Sequence, residues 1–584
     1  MQTIKIATAK RELYSIRVKL LPEVMRVLTL FPGFSKWEGR EFHFRPSGQC
    51  VEFIDENFIA EFEEQECADF WDKHYETKAI AVENRANKEA QYFDDSGYEY
   101  ARPPMEHQGK AFAISRDRDL FAYFMEQGTG KTKVTIDVAA WLYERGEIDC
   151  LVVVAWPNGV HRSWIEEEVP KDLPERIPHS KAFWDSSKIS KTQEAVINAV
   201  LEGENELGII TYNVEAFASQ RAKDSIEKFL TQRKCMFVID QSACIKTWTA
   251  KRTSFIIKMS KLAKYKRILD GDPATEGAEE LFSQMYFLDP LIIGCDTWTN
   301  FKATYCRIGR FNNVIGYINL PELLEKIEPY VFRAREAECL DLPQRRYRRW
   351  RFDLTNKERR IYDEFKLRDV AYFEPEKDDE GVMESNLALV KNMRLQQIAS
   401  GWFKNEEGEL LPINGKDKPS RLAAFENWIK HIGDEKALIF TRFKPDIWAL
   451  EKLLGDRAVS YHGGINSDDR AEAKHRFMND DSTQFFLGQY RAASIGHTLT
   501  AAKHVAFYTN EPSLRFRTEA EKRAHRKGLD KTLAEGEHLQ IWDFMANKTT
   551  DSKTITSLRE KRDLSNIIMG DPQTFFLVED ESDE

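Results

Sequence analysis

Two sets of short, uninterrupted apolar runs punctuate this chain, separated by stretches of helical periodicity. The first set is Leu120–Met125, Cys150–Ala155, Leu207–Thr211, Cys235–Asp240 and Arg267–Leu269. The second is Lys436–Thr441, Ala458–Tyr461, Thr483–Gly488, His504–Tyr508 and Leu539–Phe544. Runs of roughly four to eight apolar residues between polar segments have the form of strands buried on both faces. Their alternation with helices predicts two doubly wound α/β domains, each with a parallel sheet.

Outside these sets the pattern changes. Residues 1–60 pair strand-like runs (Ile4–Ile6, Tyr14–Val18, Glu41–Phe44) with a short helix at Pro22–Leu30 and a turn at Pro32–Phe34, which predicts a small α+β domain. Residues 61–100 are acidic (Glu61, Glu63, Glu64, Glu66, Asp69, Asp72) and predict a solvated helical connector. The expected order is then a first α/β lobe over 101–290, a mostly helical insert over 291–420, a second lobe over 421–565 and an acidic tail over 566–584.

Composition narrows the function. Hydrophobic residues make up 42% of the 584, enough for several cores. No stretch approaches the roughly 18–20 apolar residues of a membrane span, and Met1–Lys5 opens no signal peptide. The expectation is a soluble protein of a bacterial or phage-infected cytoplasm, or of a nucleus if eukaryotic. The 85 basic and 96 acidic residues give a net charge of −11, which argues against coating nucleic acid by bulk charge. A local phosphate-binding groove stays compatible with it. Eight cysteines without a C-x-x-C pair point to reduced thiols rather than structural zinc.

The chemistry begins at Glu126-Gln127-Gly128-Thr129-Gly130-Lys131-Thr132, a glycine loop between an apolar strand and a helix. Gly128 and Gly130 let backbone N–H groups close around phosphate oxygens at a helix N-terminus, with Thr129 between them. Lys131 is placed to bridge the β- and γ-phosphates of ATP, and the Thr132 hydroxyl to ligate Mg²⁺. Met125 stands where the full G-x-x-x-x-G-K-T pattern has its first glycine. Asp240, closing an apolar strand, is the second candidate for the Mg²⁺ site.

From here the residues resemble a known family. Asp240–Lys246 is similar to the D-E-S/A-H-x-I-K box of Swi/Snf-like superfamily 2 motors, and further boxes follow in family order. They include Met105–Gln108, Glu126–Thr132, Leu269–Thr275, Met393–Ile398, Gly488–Ala502 and Arg523–Gly528. The resemblance implies two RecA-like lobes and assigns adenine reading to Gln108. It places Gly496 at the nucleotide and makes Arg523 and Arg526 the arginines that stabilise the transferring phosphate. Residues 30–44 more faintly resemble the substrate-recognition domain of annealing helicases.

One departure matters most. The family's catalytic glutamate is Gln241 here, which keeps the shape but cannot accept a proton. Such a replacement, introduced or natural, is expected to leave ATP binding and cripple hydrolysis. Asp270 and Asp272 replace the usual threonines, and carboxylates near a triphosphate are expected to repel it. The resemblance implies an ATP-dependent double-stranded DNA translocase or helicase, expected as a monomer. It would remodel forked or branched duplexes by fork regression, branch migration or annealing, with single-strand-binding or recombination proteins as further partners. An RNA remodeller and a non-hydrolysing, ATP-gated nucleic-acid clamp are the alternatives. Gln344–Arg351, with five arginines among aromatics, reads equally as a phosphate-contacting ridge or as a strand with one solvated edge. Trp164 and Trp350 read as packing residues.

Overall fold

A computed structural model describes every residue except 1, 10–12, 18–20, 33–34, 39–40, 91–95, 157–159, 186–188, 310–313, 340–341, 369, 374–380, 385–387, 405–408, 466, 491–497, 527, 570–577 and 580–584. The chain divides into two compact units, residues 1–339 with 568–570, and residues 340–567 with 571–584.

The first unit opens with β1 (Gln2–Ala9), β2 (Leu13–Arg17), β3 (Ser35–Glu38), β4 (Glu41–Phe44) and β5 (Phe58–Phe62). They form one mixed sheet in the order β3-β4-β2-β1-β5, with β1 and β5 parallel. Ile4, Ile6, Ile16, Phe44 and Ile54 fill its core. The acidic helix Gln65–Ala90 follows, and its inner face adds Cys67 and Trp71 to that core. It is therefore part of the N-terminal domain as much as a connector.

This domain sits directly on the lobe that follows. The Gln49 N–H donates to the Gly294 carbonyl at 3.2 Å, and the Asn300 amide to Gln49 Oε1 at 2.7 Å. A Cβ on Gly48 would stand 2.9 Å from the His74 ring and 3.2 Å from Gly294 Cα, so only glycine permits that approach.

The lobe contains β6 (Leu120–Met125), β7 (Cys150–Ala155), β8 (His179–Trp184), β9 (Leu207–Asn213), β10 (Cys235–Asp240) and β11 (Tyr265–Asp270). A hairpin of β12 (Cys306–Ile308) and β13 (Val314–Tyr317) precedes β14 (Val331–Ala334). The sheet order is β14-β6-β11-β10-β7-β9-β8, and every pairing is parallel. The predicted strands are all present. β8 and β14 are added, β14 from within the segment expected to be a helical insert.

In the second unit β15 (Arg345–Phe352) is followed by two hairpins, β16 (Val370–Phe373) with β17 (Gly381–Glu384), and β18 (Trp402–Lys404) with β19 (Leu410–Pro412). The second parallel sheet uses β20 (Ala437–Thr441), β21 (Ala458–Tyr461), β22 (Phe485–Gln489), β23 (His504–Phe507), β24 (Leu539–Ala546) and β25 (Val578–Glu579). Its order is β21-β22-β20-β23-β24-β15-β25. The segment 291–420 thus gives a strand to each sheet instead of forming a mostly helical insert. The arginine-rich run is a strand, β15, because pairing with β24 satisfies its backbone while its side chains alternate between two faces. Among the described residues no helix is long and apolar enough to cross a membrane.

Candidate nucleotide site

β6 ends at Met125, and the chain turns through 126–130 into the helix Lys131–Glu144. Gly128 (φ +87°) and Gly130 (φ +91°) lie in the left-handed region, where a side chain is strained. A Cβ on Gly130 would strike the Gln108 side chain, whereas one on Gly128 would meet nothing within 4 Å. Gly130 caps the helix without a side chain, so the first-turn N–H groups and the positive end of the helix dipole stay open to an anion. These residues fit a polyphosphate.

Lys131 and Thr132 begin that helix. The Lys131 ammonium donates to the carbonyls of Met125 (2.7 Å) and Glu126 (3.1 Å), which holds it against its own loop. Thr132 is half-buried in the first turn. Thr129 is fully buried, and its hydroxyl donates to the Glu126 carbonyl at 2.7 Å. Gln108 donates to the Thr129 carbonyl at 3.1 Å and accepts from the Met105 N–H at 3.0 Å. In this structure its amide braces the loop. The sequence had assigned it only to adenine.

The Gly130 clash gives a direct prediction. Gly130→Ala is expected to weaken binding of a fluorescent ATP analogue at least about tenfold, since it strains the loop and displaces Gln108. Anisotropy titration reads the effect, and circular dichroism checks that the fold is kept.

Asp240 closes β10, and β11 lies between β10 and β6. The loop strand β6 and β10 thus flank β11. Asp240 is 6% exposed, and its Oδ2 accepts from the Trp164 indole N–H at 2.8 Å. Burial pushes its carboxyl pKa up, opposed by that hydrogen bond, by the Lys131 ammonium and by the Gln241 N–H. Gln241 follows at φ 54°, ψ 67°, one of four described non-glycine residues with positive φ. Sparsely populated backbone of this kind collects at functional sites.

Asp270, at the end of β11, departs from expectation. Its Oδ2 accepts from the Ala243 N–H (2.8 Å) and the Ser242 hydroxyl (3.4 Å), and its Oδ1 from the Asp272 N–H (3.0 Å). The carboxylate ties the loop after β10 to the loop after β11. Its charge is spread over three donors, which reduces the repulsion expected from composition alone.

The remaining candidates lie in the second unit. Arg523 sits near the end of the helix Leu514–Ala524 and is 2% exposed. Burial, helped by Arg526, lowers its guanidinium pKa to about 10. Arg526 donates to Thr498 Oγ1 at 3.1 Å and to the Lys522 carbonyl at 3.0 Å. Glu519 pairs with Arg515 at 3.2 Å. Gly496 lies outside the described residues.

The same helix carries a feature the sequence did not disclose. Glu521 is fully buried and accepts from Arg517 (2.7 Å), Arg562 (2.9 Å), Tyr347 (2.8 Å) and Arg345 (3.5 Å). Arg517 also pairs with Asp543 and lies over the Phe507 ring, 3.4 Å from its centroid. Arg348 donates to Gln540 at 2.8 Å. Two of the ridge arginines, Arg345 and Arg348, are thus engaged inside the lobe, while Arg346 and Arg351 are exposed. Trp350 packs as expected, against Trp542.

A parallel sheet with a glycine loop and helix N-terminus after β6, and a buried aspartate at the end of β10 one strand beyond β11, has the form of a P-loop core. The helicase conserved C-terminal domain model matches residues 420–528, in the second unit. The chain is 26% identical over 480 residues to the DNA annealing helicase and endonuclease ZRANB3 of Mus musculus, covering 78% of this chain and 40% of that protein. It is 25% identical over 484 residues to the SWI/SNF-related matrix-associated actin-dependent regulator of chromatin subfamily A-like protein 1 homolog of Caenorhabditis elegans, covering 81% and 62%. The solved Sulfolobus solfataricus SWI2/SNF2 ATPase core in complex with dsDNA aligns at 19% identity and a TM-score of 0.35, over 81% of this chain and 95% of that one. The chain spans about two fifths of the length of the ZRANB3 relatives. The chain is thus similar to Swi/Snf-like superfamily 2 proteins.

Proposed function

We propose that this chain is a DNA-dependent ATPase motor of the translocase type that remodels forked or branched duplexes. The observation that carries the reading is the joint placement of the open glycine loop, Lys131 and the buried Asp240 at the strand ends of one parallel sheet. ATP with Mg²⁺ fits this set and supplies the hydrolysable phosphoanhydride. The loop N–H groups and the Lys131 ammonium would hold the phosphates, and Thr132 and Asp240 would hold the cation. Arg523 and Arg526 are assigned to the charge that develops on the transferring phosphate. DNA contacts are expected mainly at phosphates, so tracking would be independent of sequence and sensitive to salt. The relatives' names support DNA, not RNA, as the substrate class.

A second reading rests on Gln241, whose amide cannot take a proton from water. In the chain as it stands, it favours an ATP-gated clamp that binds and releases DNA with little turnover. Steady-state ATPase with duplex, forked and single-stranded DNA and with RNA, for this chain and for Gln241→Glu, separates these readings. Stimulation by RNA alone would replace the DNA assignment, and no stimulation of Gln241→Glu by any nucleic acid would end the motor reading.

The N-terminal domain is proposed to select the DNA structure. Deleting residues 1–95 in the Gln241→Glu background is expected to abolish any preference for forks while leaving duplex-stimulated ATPase. An unchanged fork-to-duplex ratio would remove that role.

A further inference from the structure

Trp164 was expected only to pack, and its rings do lie in the core of the first lobe. Its indole N–H, however, is directed at a carboxylate. The donor is 2.8 Å from Asp240 Oδ2, and both residues are buried, Trp164 at 1% exposure and Asp240 at 6%. Two further observations make this contact more than a satisfied donor. Trp164 opens a π-helical turn, Trp164–Glu168, interrupting the helical segment that follows β7. Such turns are rare and concentrate at functional sites, where they re-aim a side chain. And β7 is the strand paired with β10, with Ala155 opposite Asp240, so the segment after β7 stands beside the aspartate.

We infer that Trp164 is a positioning residue for the cation held with the nucleotide: its indole N–H fixes one oxygen of Asp240 and so sets the rotation of the carboxylate. This rests on the assignment of Asp240 to the Mg²⁺ site made above. A carboxylate has two equivalent oxygens and rotates freely about its terminal bond unless one oxygen is held. Groups that hydrogen-bond a metal ligand from behind orient it, and their loss typically weakens metal affinity about 10–100-fold. The Gln241 backbone N–H adds to the same support from the loop side. Position 164 therefore belongs to the nucleotide site, although it meets it only through Asp240.

The test reads binding and does not depend on turnover. A fluorescent ATP analogue is titrated into the intact chain with EDTA and then with increasing Mg²⁺. Three variants are compared: Trp164→Phe, Asp240→Asn, and a protein with benzothienylalanine incorporated at position 164. The last keeps both fused rings and replaces only the N–H by sulfur, so it serves if Trp164→Phe folds poorly. The expected result is unchanged affinity in EDTA and a Mg²⁺ midpoint shifted about tenfold or more upward in both position-164 proteins. A purely structural role would lower affinity equally in EDTA and in Mg²⁺, and that outcome overturns the inference. A Mg²⁺ midpoint unchanged in both position-164 proteins but shifted in Asp240→Asn also overturns it, while Asp240 keeps its assignment. A midpoint unchanged in Asp240→Asn removes the metal-site reading itself.

Discussion

Gln241→Glu is expected to raise nucleic-acid-stimulated ATP hydrolysis by about 10²–10⁴-fold, the usual contribution of a positioned general base. Glutamine and glutamate share shape and length, so the substitution changes a proton acceptor and little else. The backbone supports this: residue 241 sits at φ 54°, ψ 67°, a conformation fixed by β10 before it and the turn 242–245 after it. Either side chain therefore leaves the main chain in the same direction. Affinity for the nucleotide is expected to change by less than about threefold, because the proposed phosphate contacts are the loop, the helix N-terminus and Lys131. A new carboxylate beside Asp240 and Asp270 adds repulsion, which the cation offsets, so the variant should depend more steeply on Mg²⁺. Steady-state turnover with and without duplex DNA checks the prediction. If the unsubstituted chain already turns over at the rate of the variant, position 241 has no part in activating water.

How much of this was legible before the structure depends on whether the cause was local. The glycine loop was readable because its function needs positive φ at two fixed positions before a helix, and only glycine adopts those cheaply. The strands β6, β7, β9, β10 and β11 were readable because a strand covered on both faces must be apolar at every position. β14 was missed because Val331–Ala334 is four residues long and contains Arg333. β8 was missed because His179-Ser180-Lys181 opens it, at the exposed edge of the sheet. β15 was ambiguous for a physical reason. An alternating arginine–aromatic strand satisfies a solvated face and a buried ion-pair network equally well, and the choice depends on Glu521, some 175 residues away. Trp164 belongs to the same class, since nothing near it in sequence names Asp240 as its acceptor. The net charge was misleading in the same way. It says little about where arginines stand, and several of those in the second unit are committed to buried carboxylates.

Glu521→Ala is expected to destabilise the second unit by about 3–5 kcal/mol, the range for breaking a buried ion pair from one side. The reason is the count of charges left behind. In the native network Arg517, Arg562 and Arg345 share Glu521, and Asp543 pairs with Arg517. Removing Glu521 takes a shared carboxylate from three guanidinium groups, two of them nearly buried, while Arg517 keeps Asp543. The Tyr347 hydroxyl loses its acceptor as well. For a unit of this size the loss corresponds to a midpoint about 10 °C lower in thermal unfolding. Glu521→Gln should cost less, because the amide oxygen still accepts from one arginine, but it leaves the same excess of positive charge. The sign with pH follows from the direction of the shift. The three arginines hold the Glu521 carboxyl far below its ordinary value, against the opposing effect of burial. Its contribution is therefore complete above the unfolded-state pKa of about 4.3 and is lost as pH falls from there through the lowered native value. The stability gap between the wild-type chain and Glu521→Gln should be flat from about pH 8 to 5 and close only below about pH 4. A gap that closes near neutrality would mean that another group dominates the network. The role proposed for Arg523 and Arg526 adds a second readout, because they stand two and five positions beyond Glu521, on and just past the same helix. In the Gln241→Glu background, Glu521→Gln is expected to lower turnover at temperatures where the fold is intact, with nucleotide affinity nearly unchanged. Equal turnover would separate the network's role in stability from any role in holding the arginines.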